Sequence, residues 1–283
     1  MILLIGSTGY IGSEFVKYLS QGWNFKTLSY KKVLEDDLAS HLFGVDFVIN
    51  AAGYTGKPNV DKCEEEKDKC IIGNVVLPMK ILEHCRRLNI PYGHVSSGCI
   101  YEGRRTDGTP WTEDDEPNFS FKQNNCSFYS GTKAMAEELV KEYSKSYIWR
   151  LRIPFDNIDN PRNYISKLLT YKQLVDFENS ISHKRDFVKA CVDMIDESVP
   201  YGIYNVVNSG TVTTEQVAYL ISSYLDKKKS FEFFESAEEF YKIAAKTPRS
   251  NCVLDNRKLL RLGIKMRDVK EALIDSLQNW RKE

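Results

Sequence analysis

An α/β chain built on a parallel, doubly wound sheet is the fold class this sequence predicts, and three observations predict it. Short apolar runs alternate with amphipathic stretches through the first 153 residues. The runs are continuously apolar, as expected of strands covered on both faces. A glycine-rich turn, "GSTGYIG", joins the first run to the first amphipathic stretch.

The elements follow in order. Met1 to Ile5 reads as a buried strand and Ser13 to Leu19 as a helix. "FKTLSY" (Phe25 to Tyr30) is a second strand, and "DFVINAAG" (Asp46 to Gly53) a third that ends in small residues. Asn74 to Leu88 has helical spacing, and "IPYGHVSS" is the next strand. A polar loop rich in Gly, Asp, Pro and Asn runs from Tyr101 to Ser127, a length that usually marks function. Tyr129 to Tyr143 is helical, and "YIWRLRIP" is a strand stopped by Pro154. Beyond it the pattern loosens. Helices are expected from Asn160 to Leu169, from Asp186 to Ile195, from Thr213 or Thr214 to Leu225, and from Val269 to Trp280. Strands are expected at "GIYNVVN" and "FEFF". The expected organisation is a dinucleotide-binding unit over residues 1–153, rejoined by about 178–208. Residues 154–177 and 209–283 are expected to form mainly a smaller mixed α/β substrate lobe.

Bulk properties narrow the function. The 283 residues carry 39 basic and 39 acidic side chains, which gives no sign of a nucleic-acid groove or a membrane surface. Seven cysteines and four histidines lack metal-ligand spacing, so no metal site is expected and the thiols read as reduced, in a cytoplasmic setting. No signal peptide precedes "MILLIG", and no apolar run approaches the ~20 residues of a membrane span.

Gly6, Gly9 and Gly12 form G-x-x-G-x-x-G between strand and helix. Such a turn brings backbone N–H groups close to a pyrophosphate and offers it a helix N-terminus. The spacing resembles the extended branch of the short-chain dehydrogenase/reductase superfamily, a Rossmann fold. The cofactor residues are then Gly6, Ser7, Thr8, Gly9, Tyr10, Ile11 and Gly12, with Ala51, Ala52 and Gly53 after the third strand. At the end of the second strand stand Ser29, Tyr30, Lys31 and Lys32, and no acidic residue. Two lysines there favour NADPH over NADH, with Ser29 and Lys31 at the 2′-phosphate.

"YSGTK" places Tyr129 and Lys133 four apart, on one helix face. The pair suits ketone reduction: the tyrosine gives a proton to the carbonyl oxygen, and the lysine lowers its pKa and holds the nicotinamide ribose. Tyr224 and Lys228 repeat the spacing, but late and beside a charge run. Ser97 completes a Ser–Tyr–Lys set; Ser96 is the alternative, and adjacent strand residues face opposite ways.

Longer motifs carry a closer resemblance: "NAAGYTGKPNVDKCE", "SSGCIYEG", "SFYSGTKAMAEEL", "RLRIPFDNIDNPRNYISK", "GIYNVVNSG" and "TPRSNCVLD". Together they resemble the plant nucleotide-rhamnose synthase/epimerase-reductase family over almost the whole chain. That resemblance implies a 3,5-epimerase/4-reductase that turns UDP-4-keto-6-deoxyglucose into UDP-L-rhamnose with NADPH. It implies epimerisation roles for Cys99 and for Lys167, with acid and base left open. It puts Thr55, Asn59, Arg162, Asn163 and Arg249 near the sugar or diphosphate, and Asn74 as a brace. With only one glycine loop, the keto sugar must come from a separate 4,6-dehydratase. A homodimer is the common assembly of the superfamily. A 4-reductase without epimerase activity, on a UDP or dTDP sugar, and a non-catalytic NADP-binding subunit are the competing readings.

Overall fold

The computed structural model describes residues 1–282. Six parallel strands form its centre: β1 (Ile2–Ile5), β2 (Phe25–Leu28), β3 (Phe47–Asn50), β4 (Tyr92–Ser97), β5 (Ser146–Leu151) and β6 (Gly202–Asn205). Their spatial order is β6-β5-β4-β3-β1-β2, and every neighbouring pair is parallel. The order reverses between β1 and β3. Doubly wound sheets bind ligands in the crevice at such a switch point, beyond the carboxyl ends of the strands.

Each face of the sheet has its own core. Ile2 and Leu4 of β1 join Phe15, Trp149, Phe187 and Val192 on the side of α1 (Gly12–Leu19). Leu3 and Ile5 point the other way, into a core with Leu38, Ile81, Leu82 and Val140. That second face is covered by α2 (Tyr30–Glu35), α4 (Leu77–Leu88) and α5 (Phe128–Val140), and α3 (Lys62–Glu65) precedes α4 along the chain. Because both faces are covered, the strands are apolar at successive residues and not at alternate ones.

The remaining chain builds a third core. Phe155, Ile165, Leu168, Val217, Ile221 and Leu273 bring together α6 (Tyr164–Thr170), α8 (Thr214–Tyr224) and α9 (Val269–Gln278). A capping box starts α8, with Thr213 and Gln216 each satisfying the other's backbone N–H. The intervening α7 (Lys184–Asp196) returns to the sheet beside α1.

Several expectations are corrected. The second strand stops at Leu28, because the Ser29 hydroxyl accepts the Lys32 N–H and starts α2. The helix expected from Asn74 is preceded by a π-turn over Ile72–Val76. Pro78 has no N–H to offer the Asn74 carbonyl, so the regular ladder fails there. "FEFF" pairs only at Glu232–Phe233. Leu259, Ile264 and Met266, in the stretch expected to be mainly lobe, pack in the core of the sheet beside α1. The long loop is tied down: Gly103 and Trp111 bridge to Cys252 and Leu254, and Trp111 stacks on Tyr101 at 5.3 Å.

One ion pair locks α5 to the sheet. Glu137 accepts from Arg150 of β5 at 2.9 and 3.0 Å and from the Ser96 hydroxyl at 2.5 Å. The pair's side chains are only 4% and 2% exposed, so its charges are out of water. Glu137→Ala leaves the Arg150 charge buried alone and is expected to cost about 3–5 kcal/mol of unfolding free energy. Glu137→Leu combined with Arg150→Met is expected to cost less in the same urea titrations. A double variant worse than the single one would contradict this account.

Candidate active site

The glycine turn is shaped by packing. Gly6 has φ +87°, and a Cβ there would sit 2.5 Å from the Ala52 nitrogen. A Cβ on Gly12 would sit 1.9 Å from the Gly6 carbonyl oxygen. Neither position has room for a side chain, so the end of β1 lies against the end of β3 and α1 starts tightly behind it. Thr8, Gly9, Tyr10 and Ile11 line the cleft; Gly12 is buried behind them, and the half-buried Gly6 and Ser7 are not among the lining residues. No side chain caps α1. Backbone carbonyls take up its first N–H groups instead: Ser13 donates to Gly9, and Glu14 and Phe15 donate to Ile11.

The cleft has a volume of ≈ 1190 Å³ and runs from this turn along the ends of β3, β4 and β5 into the second lobe. Ala51, Ala52, Gly53, Thr55, Asn59, Ser97, Cys99, Tyr129, Lys133, Arg162, Lys167 and Arg249 all line it. Ser29 and Lys31 do not. They sit exposed at the carboxyl end of β2, level with Ile5 through the β1–β2 register.

The strand end separates the two serines. Ser96 turns back to Glu137, while Ser97 faces the cleft and its hydroxyl accepts the Cys99 N–H at 3.2 Å. The short turn Gly98–Ile100 then folds the Cys99 thiol beneath the same wall. Burial pushes that thiol up, opposed by hydrogen bonds from Ser97 and Ser130 and by the charges of Arg152 and Lys133.

Tyr129 and Lys133 lie in the first two turns of α5, whose N-cap is Ser127. The Lys133 ammonium donates to the Val95 carbonyl at 3.0 Å. Burial holds Lys133 below its usual pKa and Tyr129 well above; the Cys99 thiol adds to the rise, and a hydrogen bond from Ser97 opposes it. The expected lowering of the tyrosine by Lys133 is therefore not what this arrangement produces. Desolvation dominates, and Tyr129 is a neutral phenol, hence a proton donor, at pH 7. The second Tyr–Lys spacing fails structurally: Tyr224 ends α8, and Lys228 lies beyond the helix.

The lobe contributes cations. Arg162 reaches across to Thr55 Oγ1 at 2.7 Å and the Gly56 carbonyl at 2.8 Å. Arg249 pairs with Asp61 at 2.6 Å. Lys167 lies near both, and burial together with the two arginine charges lowers its pKa to about 8. Asn163 does not face the cleft. It is fully buried, caps α6 and donates to the carbonyls of Asp156 and Ile158. Asn74 does line the cleft, with its amide bonded to both backbone groups of Tyr54 and to Thr132 of α5.

Sequence reasoning missed several polar residues. Arg152 lines the cleft and donates to Asn179 and to the Ser250 carbonyl. Lys184 lies over the Tyr10 ring at 4.4 Å and pairs with Asp156, which also accepts from the Tyr10 hydroxyl at 3.0 Å. An arginine inside the apolar run "YIWRLRIP" was the one available signal; nothing marked Lys184. Ser96→Ala removes a buried donor from Glu137 and is expected to cost ~1–3 kcal/mol of stability, against less than ~1 for Ser97→Ala. Denaturant unfolding of the two variants checks this; equal losses would mean that both hydroxyls serve packing.

Comparison with known proteins gives a consistent family. Residues 1–282 match the family model for the RmlD substrate binding domain. The bifunctional dTDP-4-dehydrorhamnose 3,5-epimerase/dTDP-4-dehydrorhamnose reductase of Arabidopsis thaliana is 34% identical, over 96% of this chain and 90% of its own length. A trifunctional Arabidopsis UDP-glucose 4,6-dehydratase/UDP-4-keto-6-deoxy-D-glucose 3,5-epimerase/UDP-4-keto-L-rhamnose-reductase is 32% identical, and the match spans 41% of it. The crystal structure of the L780 UDP-rhamnose synthase from Acanthamoeba polyphaga mimivirus superposes with a TM-score of 0.90 at 26% identity, covering 99% of both chains. A full-length family match and a full-length relative of this similarity together place the chain in the RmlD family.

Proposed function

We propose that this chain reduces the C4 ketone of a nucleotide-linked 4-keto-6-deoxy sugar with NADPH, after inverting C3 and C5 in the same cleft. The carrying observation is that Ser97, Cys99, Tyr129, Lys133 and Lys167 line one cleft, although they come from a strand end, a turn and two helices. The likeness to the trifunctional plant enzyme and to the L780 synthase supports UDP-4-keto-6-deoxyglucose as substrate and UDP-L-rhamnose as product, whereas the bifunctional plant relative is named for the dTDP sugar.

The cofactor's fit rests on the glycine turn, where Gly6 and Gly12 leave no room for a side chain, and on the positive end of α1. These would hold the diphosphate, with Ser29 and Lys31 toward the 2′-phosphate and Lys133 toward the ribose. A bound NADPH supplies the hydride that C4 receives. Tyr129 gives its phenolic proton to the C4 oxygen, and Ser97 hydrogen-bonds the same oxygen.

Epimerisation uses the acidity that the ketone confers on C3 and C5. Lys167 loses its proton near pH 8, while burial keeps Cys99 a thiol. The amine therefore takes the proton from carbon. The C4 oxygen, held by Ser97 and Tyr129, carries the enolate charge. The thiol returns a proton to the opposite face and is restored from solvent. Arg162 and Arg249, with Thr55 and Asn59 nearby, would receive the diphosphate and sugar. In this reading a separate 4,6-dehydratase supplies the keto sugar, and the enzyme works in the cytoplasm. Ile72, Val76, Met135 and Leu139 are exposed on adjoining helical segments and would meet a second copy in a homodimer.

The decisive assay supplies the chain alone with NADPH and either UDP- or dTDP-4-keto-6-deoxyglucose. Rhamnose product from the UDP sugar is expected; product only on addition of a separate epimerase would leave a 4-reductase. NADPH binding without turnover of either sugar would leave a non-catalytic subunit. Cys99→Ala is expected to abolish inversion at C3 or C5, because the opposite face then lacks its proton donor. Tyr129→Phe is expected to slow NADPH oxidation by about 10²–10⁴ while solvent deuterium exchange at C3 or C5 persists.

The pH dependence has a definite sign. Below pH 8 Lys167 is an ammonium ion and cannot accept a proton, so the exchange rate rises with pH and levels off above about 8. Exchange that falls as pH rises through this range would reverse the acid and base roles.

A further inference from the structure

Three contacts fasten the 246–249 segment of the second lobe to the turn of chain around α3. Asp61 pairs with Arg249 at 2.6 Å, Glu65 approaches Lys246 at 3.8 Å, and Glu64 accepts the Thr247 hydroxyl at 2.9 Å. The middle contact differs from its neighbours. The same Glu64 oxygen, Oε1, also accepts the backbone N–H of Phe128 at 2.7 Å.

Phe128 is the first residue of α5, and its N–H has no partner within the helix. A carboxylate at this position satisfies the orphan donor and suits the positive end of the helix dipole. Tyr129 is the next residue. On the other side, Thr247 is buried and is followed by Pro248 and Arg249, both in the cleft wall. One carboxylate oxygen thus joins the Pro248–Arg249 stretch of the cleft wall to the backbone that carries the phenol.

We propose that Glu64 is a positioning residue that couples substrate capture by the 246–249 segment to the placement of Tyr129. The inference rests on the reading of Tyr129 as proton donor. Ligand drawing on Arg249 moves Thr247, and Glu64 transmits that movement to the first turn of α5. Glu64 touches no reacting atom. Its effect lies in where the tyrosine hydroxyl stands relative to the C4 oxygen, a distance to which turnover is steeply sensitive.

Two measurements test it. In the first, amide deuterium uptake of the peptide spanning 126–132 is compared with and without UDP-L-rhamnose and NADP+. The ligands are expected to slow uptake in wild type by several-fold more than in Thr247→Val. Equal slowing in both, or none in wild type, overturns the coupling, whether or not the chain turns over substrate. In the second, Glu64→Ala is expected to lower kcat for NADPH oxidation about tenfold, with the KM for NADPH unchanged. Glu64→Gln keeps an acceptor for both donors and is expected to stay within about twofold of wild type. Adding Thr247→Val to Glu64→Ala is expected to cause no further loss, since both act through one oxygen. Additive losses, or a fall in Tm at unchanged kcat, would show a merely structural contact. An inactive wild type would sink the functional reading, and the exchange measurement would still decide this one.

Discussion

The site depends on the buried pair between Glu137 and Arg150. Tyr129, Lys133 and Glu137 stand four residues apart along α5, so they share one face of the helix. Glu137 grips β5 through Arg150 and β4 through Ser96. That grip sets the register and rotation of α5 over the strand ends. Lys133 then falls on the Val95 carbonyl, and Tyr129 comes beside Ser97 and Cys99. An apolar contact could slide by a fraction of a turn at little cost. A desolvated ion pair with a third hydrogen bond cannot, because any slip leaves a charge without its partner.

Burial then determines the protonation states along the cleft. The same desolvation that raises Tyr129 and Cys99 lowers Lys133 and Lys167, since each group is pushed toward its neutral form. Neutral acids and depressed amines in one pocket are what proton transfer near neutral pH requires. Lys167 is shifted further by the charges of Arg162 and Arg249, the two arginines proposed to receive the diphosphate. Cations that suit a diphosphate also push a neighbouring lysine toward the free amine. In the proposed function, anion binding and base chemistry would share the same electrostatic source.

The parallel sheet and its order of elements were legible because they rest on local regularities. Continuous apolar runs, a glycine turn at a strand-to-helix junction and helical spacing all survive without tertiary contact. Boundaries were less so. The hydroxyl of Ser29 that ends β2 and the π-turn before Pro78 depend on single hydrogen bonds. Asn163 misled: its place in a motif that resembles a substrate-binding segment concealed that all its polar atoms serve the turn into α6. Lys184 and Glu64 carried no signal because their partners lie 28 or more residues away.

By itself, the sequence determined the sheet, the phosphate turn and the Tyr–Lys helix, because each is specified by residues close together in the chain. It also determined that Ser97 and Cys99 lie near one another, since they flank one strand end. Only the tertiary structure decided which serine faces the cleft, which way the pKa of Tyr129 moves, and that Lys167 lies between two arginines. Those outcomes turn on desolvation and on charges brought together from distant segments, and neither quantity exists until the chain has closed around the cleft.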